Sequence, residues 1–320
     1  MSSPIRRTAG HLRPRLIAVG ETMAMITPAH AEPLATANEL RLHVGGAESN
    51  VAMHAAALGI PSAWVSAVGD DALGERIRRE VAARGVDVGW VVVDPHAPTG
   101  VYFKDPGNGV LYYRRGSAAS CMTAESIAEI PLEEAEVVHV SGITPALSAD
   151  CAALMDALVE RVSGSKGVLS FDVNHRPPLW ETGAAAPLLL GLARRTDLVF
   201  VGLDEANALW GCETAAEVRT LLPEPERLVV KDGDVGATEF ERRDDRDVET
   251  FVPAIPTVVV EPVGAGDAFA AGYLAAFLNN AGSEDRLRAG HERAHLVLQS
   301  TSDFVPEQPA SEPARTDAPR

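Results

Sequence analysis

A chain of 320 residues with 46% hydrophobic and 23% charged residues can bury the core of one large or two smaller α/β domains. Its net charge of −17 argues against nucleic acid or an anionic membrane as partner, so any anionic ligand must be met by a local cluster of arginines. Cys121, Cys151 and Cys212 form no C-x-x-C pair, which speaks against a disulfide framework or a zinc site, and no apolar run reaches the length of a signal-peptide core or a membrane span; the reading is a cytoplasmic protein.

Residues 1–14 read as a loose leader, and the fold is expected to start at Arg15 and run to about 305. LIAVGE (Leu16 to Glu21) reads as a buried strand, followed by two shorter alternating segments, TMAMITP and ELRLHVGG. Gly45-Gly46 opens a helix over AESNVAMHAAALGI that closes at Gly59. Then come a strand (Ala63 to Gly69), an amphipathic helix (DDALGERIRREVAARGV) and a strand (WVVVD). Such alternation implies an α/β fold with a mostly parallel sheet covered on both faces. From Thr99 to Ala118 it breaks: two strand-like runs flank Asp105-Pro106-Gly107-Asn108-Gly109, a hairpin signal. With the segments of about 22–44, this hairpin (about 99–118) is expected to form a small sheet that covers a site and offers a surface for self-association. Alternation then resumes through VVHVSG, a helix from Ala149 to Val162, GVLSFDVN, a helix around Ala184 to Arg195, LVFVG, a helix around Asp204 to Trp210, and RLVVKDG. The charged run Arg242 to Asp247 reads as a solvated loop, and 306–320 as a disordered tail.

The chemistry is expected in TVVVEPVGAGDAFAAGYLAAFL. Thr257 to Val260 reads as a buried strand, Gly264-Ala265-Gly266 as a glycine turn, and Asp267 as the opening of a core helix. Unpaired N–H groups at a helix start, reached past glycines, make an anion hole. The spacing is neither G-x-G-x-x-G nor a P-loop, since Phe269 takes the third glycine position and no G-K-[ST] follows. A carboxylate beside an anion hole suits a hydroxyl that loses its proton while attacking phosphorus. The alternative is a helix cap beside an ordinary turn. Asp172, Asn174 and Arg176 fall where a strand ends, the usual ligand rim of a parallel sheet, or they make a polar turn. Lys231 to Gly236 has the same placement. In Tyr112-Tyr113-Arg114-Arg115, alternation puts Tyr112 and Arg114 on one face, where they could meet a carboxylate with Arg176, or protect an exposed edge. The nine histidines show no ligand spacing, and His291 with His295 reads as a solvated helix face.

Together these stretches resemble the ribokinase/PfkB family of sugar kinases from about Arg15 to Asp303, through GGAESN near the start and EPVGAGDAF near the end. YYRRGSAAS and DVNHRPPLW resemble the branch that acts on 2-keto-3-deoxygluconate. The resemblance implies a ribokinase-like three-layer α/β/α fold with a small β lid. It implies Asp267 as base, with Gly264, Ala265 and Gly266 as anion hole. Gly45, Gly46, Asn50, Tyr102, Tyr112, Arg114 and Arg176 would meet the sugar acid, and Asp303 would close over it. Lys231, Gly233 and Gly236 would line ATP together with Gly264 and Gly266, and Glu205 would serve Mg2+, directly or through water. Glu261-Pro262 stands where the family has Asp-Thr, which leaves a monovalent cation open, and Gly202-Leu203-Asp204-Glu205 lacks the asparagine of the family's N-x-x-E motif. The competing readings are a kinase of a neutral sugar of the fructose or ribose type and a non-catalytic nucleotide- or sugar-binding regulator; carboxylate dependence and ADP production separate them.

Overall fold

Successive residues of a strand face opposite sides of its sheet, and Leu16–Val19 (β1), buried throughout, shows how this chain builds three layers. Ile17 and Val19 pack into one hydrophobic core; Leu16 and Ala18 pack into another across the sheet. The computed structural model describes residues 13–300 and Phe304, apart from Ala31, Thr182 and Asp245. The leader up to residue 12, Asp303 and the tail 306–320 lie outside the described residues.

After β1 come β2 (Met23–Pro28), β3 (Leu40–Gly45), α1 (Ala47–Ala57), β4 (Ser62–Gly69), α2 (Ala72–Ala83) and β5 (Asp87–Asp94). The hairpin of β6 (Val101–Asp105) and β7 (Gly109–Tyr113) leads to β8 (Val137–Ser141), α3 (Ala149–Val162), β9 (Val168–Asp172), α4 (Ala185–Ala193), β10 (Leu198–Gly202), α5 (Leu203–Trp210), α6 (Ala215–Leu221) and β11 (Arg227–Asp232). β12 (Gly236–Arg243), β13 (Arg246–Pro253), α7 (Ala265–Leu278) and α8 (Ser283–Leu298) follow. The nine-stranded main sheet has the order β13-β12-β11-β10-β9-β8-β1-β4-β5. It is parallel from β11 to β5, with β12 and β13 added antiparallel at one edge. Val51 of α1, Ile77 of α2, Tyr273 of α7 and Leu287 of α8 fill the core on one face; Leu154 of α3, Leu189 of α4 and Val218 of α6 fill the other.

The two segments outside the alternation pair with each other. They form a separate four-stranded sheet, β3-β2-β6-β7, whose inner face buries Met23, Met25 and Tyr102 with Tyr112 packed against them. No helix among the described residues is long and apolar enough to cross a membrane.

Three expectations are corrected. Thr257 to Val260 is not a strand: β-branched residues favour extended backbone, but no strand among the described residues pairs with this stretch, and Val258 is 85% exposed. It crosses the rim between β13 and α7, held by Val260 N–H donating to the Leu298 carbonyl at 2.8 Å. The charged run Arg242 to Asp247 is not a free loop; it closes the β12–β13 hairpin, with Arg242 opposite Asp247 and Asp247 paired to Arg219. His291 is not solvated: it is buried, with Nε2 3.1 Å from the Val252 carbonyl, so α8 turns this histidine toward the sheet.

Candidate active site

The strand order turns back between β1 and β8, and the carboxyl ends of the parallel strands share one rim, where open α/β sheets bind ligands. A cavity of about 620 Å³ opens there. The strand ends supply Asp172, Gly202 and Lys231, α7 supplies Asp267, and the small sheet faces them with Met23, Tyr102 and Tyr112. Gly45, Gly46, Asn50, Arg114, Arg176, Glu205, Gly233, Gly264 and Gly266 complete much of the wall, so residues far apart in the chain converge here. A second, mainly apolar cavity of about 360 Å³ adjoins it, lined by Gly236, Ala265, Ile255, Val259 and Phe269. Both cavities touch Lys231, Gly233, Pro262 and Gly266.

The turn before α7 depends on Gly264, whose φ of 86° lies in the left-handed region that side chains disfavour. It brings the first N–H groups of α7 to the rim, and those of Gly266 and Asp267 have no intrahelical acceptor. The Asp267 carboxylate is held between two amides. Asn50 Nδ2 donates to Oδ2 at 2.9 Å, and Asn174 Nδ2 donates to Oδ1 at 3.4 Å. Asn174 sits at φ 40° just past β9, a conformation asparagine tolerates, and its N–H donates to Asp172 Oδ1. Gly46 brings α1 close, because a Cβ there would lie 2.4 Å from the Glu21 carbonyl.

Opposite charges neutralise one another around the wall. Lys231 Nζ donates to Asp172 Oδ2 at 2.9 Å; burial works against its charge, but Asp172 and Glu205 prevail and hold its pKa above the ordinary value. Glu205 accepts from the N–H groups of His175 (2.8 Å) and Gly202 (2.9 Å), and burial, with Asp172 nearby, raises its pKa. Arg176 lies 3.9 Å from Glu205, with 42% of its side chain exposed. Arg114 Nε donates to Glu21 Oε2 at 2.6 Å. Among the described residues, no three His, Cys, Asp or Glu side chains gather as a metal site.

The sequence reading missed Glu21 and Glu48. Glu21 had a weak signal, a charge closing the buried strand LIAVGE. Glu48 is buried in the first turn of α1; burial, with Asp267 adding, pushes it up to about 7 against the hydrogen bond from Ser141. Between about 4.5 and 7 the folded chain therefore holds a proton that the unfolded chain releases, and stability falls as pH rises through that window. Glu48→Gln is expected to remove this slope, gaining about 2–3 kcal/mol on the parent between pH 5 and pH 8 in urea unfolding. Parallel pH profiles for the two proteins would show that Glu48 ionises normally in the fold.

The family described as pfkB family carbohydrate kinase matches residues 13–309. The 2-dehydro-3-deoxygluconokinase of Thermoproteus tenax is 34% identical over 298 residues, 90% of this chain and 89% of that protein. The crystal structure of a PfkB protein from Polaromonas sp. JS666 is similar with a TM-score of 0.83 at 30% identity, covering 91% of this chain and 98% of that one. An E. coli ribokinase II solved with ATP and Mg2+ has a TM-score of 0.82 at 22% identity, over 91% and 94% of the two chains, and shows that the three-layer fold is ribokinase-like. Matched across both sheets and both cavities, this chain belongs to the pfkB family of carbohydrate kinases.

Proposed function

We propose that this sugar kinase transfers the γ-phosphoryl group of ATP to the primary hydroxyl of 2-keto-3-deoxygluconate, also called 2-dehydro-3-deoxygluconate. The observation that carries the reading is the position of the Gly264–Asp267 loop, which borders a cavity whose charged and amide side chains suit a sugar and a mainly apolar one suited to a nucleobase. A phosphoryl group handed from one to the other passes the α7 N-terminus. Asp267, oriented by Asn50 and Asn174, accepts the hydroxyl proton as oxygen attacks phosphorus. The N–H groups of Gly266 and Asp267, with Lys231, stabilise the charge that grows on the phosphoryl oxygens. Glu205 and Asp172 border the same cavity, and this surplus of carboxylates suits a hydrated Mg2+ arriving with the nucleotide. When bound, Mg2+ would neutralise phosphate charge. The small sheet then acts as the cover over the sugar.

The name of the T. tenax relative and the presence of Arg176 favour a sugar acid. One observation favours a neutral sugar instead: Glu21 already pairs with Arg114, so that charge does not wait unpaired for a carboxylate. The reading is tested by incubating ATP, Mg2+ and 2-keto-3-deoxygluconate with the protein and locating the phosphate by 31P–1H correlation. An ester on the terminal CH2 is expected. ATP hydrolysis without sugar phosphate, or an ester at another carbon, would contradict it.

A further inference from the structure

Arg114 and Glu21 meet where the two sheets join. Glu21 lies in the short link between β1 of the main sheet and β2 of the small one, and Arg114 follows β7 in the small sheet. Both line the sugar cavity, yet Glu21 is only 2% exposed and Arg114 only 7%. The guanidinium uses Nε, at 2.6 Å, and Nη2 on the same Glu21 oxygen, while the Ser117 hydroxyl donates to the other oxygen at 2.5 Å. Among the described residues, Nη1 makes no hydrogen bond or ion pair. The guanidinium carbon lies 5.6 Å from the centre of the Tyr112 ring, which walls the group on one side.

A guanidinium is planar, so holding two of its nitrogens fixes where the third points. Glu21 also balances the charge of a buried arginine that would otherwise be costly to desolvate. We infer that Glu21 is a positioning residue for substrate selection: buried in the link between the two sheets, it fixes which N–H groups of Arg114 face the sugar and where they lie. A carboxylate is then met at the Nη1–Nη2 end rather than at the Nε side. This inference rests on the sugar-acid reading above.

Reach and charge can be separated. Glu21→Asp keeps the charge but withdraws it by one methylene; Glu21→Gln keeps the reach but loses the charge. Steady-state kinetics with 2-keto-3-deoxygluconate are expected to show KM for the acid raised at least about tenfold by Glu21→Asp and less than about threefold by Glu21→Gln, with KM for ATP unchanged in both. On an Arg114→Ala background, Glu21→Asp should have no further effect, and Arg114→Gln serves where that background does not fold. Equal damage from the Asp and Gln variants, or a Glu21→Asp effect that persists without Arg114, would overturn the inference while leaving the kinase reading intact. A parent protein that does not turn over the acid would overturn both.

Discussion

Asp267→Asn is expected to lower kcat at least about 100-fold, the scale for loss of a positioned base, while melting temperature and nucleotide Kd stay near those of the parent. Asparagine fills the same space; its oxygen accepts from one of Asn50 and Asn174, and the other amide, once flipped, accepts from its NH2, so the start of α7 and its N–H groups remain in place. What disappears is the ability to take the hydroxyl proton. Single-turnover measurement of sugar phosphate formation, with nucleotide binding followed by calorimetry, separates these effects. A variant with near-normal turnover would reduce Asp267 to a residue that orders the helix start.

Arg114→Ala is expected to cost about 2–4 kcal/mol in kcat/KM toward the sugar acid, the range for a charge-assisted contact in a desolvated site. It also strands the buried Glu21, so a further loss of about 3 kcal/mol should appear as reduced folding stability. Arg176 is a cleaner probe of binding. Its side chain is 42% exposed and its nearest carboxylate, Glu205, is 3.9 Å away, so Arg176→Ala should cost about 1–2 kcal/mol toward the acid and little stability. Fructose turnover should change much less in both variants. Denaturant unfolding beside kinetics on both sugars tests the pair; equal losses on acid and neutral sugar would mean that neither arginine reads the carboxylate.

Much of the fold could be read locally because its signals are local. The ends of α3 agree with the reading from Ala149 to Val162, where Ser148 caps the first turn by accepting from the Cys151 N–H. The small sheet announced itself through a turn-rich hairpin inside an otherwise regular alternation. β12 and β13 escaped because their charged residues, useful on edge strands, resemble a loop in composition. Thr257 to Val260 misled for the opposite reason, with strand composition but no strand among the described residues paired with it.

The site divides in the same way. Gly264 to Asp267 carries its geometry in four consecutive residues, so motif and position agree. Glu21 does not, because its meaning lies in an arginine 93 residues away. Asn50 was assigned to the sugar through resemblance, and its contact with Asp267, 217 residues away, follows from no local pattern. Contacts of this kind follow from how distant elements are packed together, which composition and periodicity do not encode.

The most direct test of the central claim is kcat/KM for ADP release with 2-keto-3-deoxygluconate, fructose and ribose under identical ATP and Mg2+. The sugar acid should exceed both neutral sugars by about 30- to 1,000-fold, matching the 2–4 kcal/mol assigned to carboxylate recognition. Fructose or ribose turned over far better than the acid would contradict that assignment and leave a carbohydrate kinase whose cavity reads hydroxyls alone.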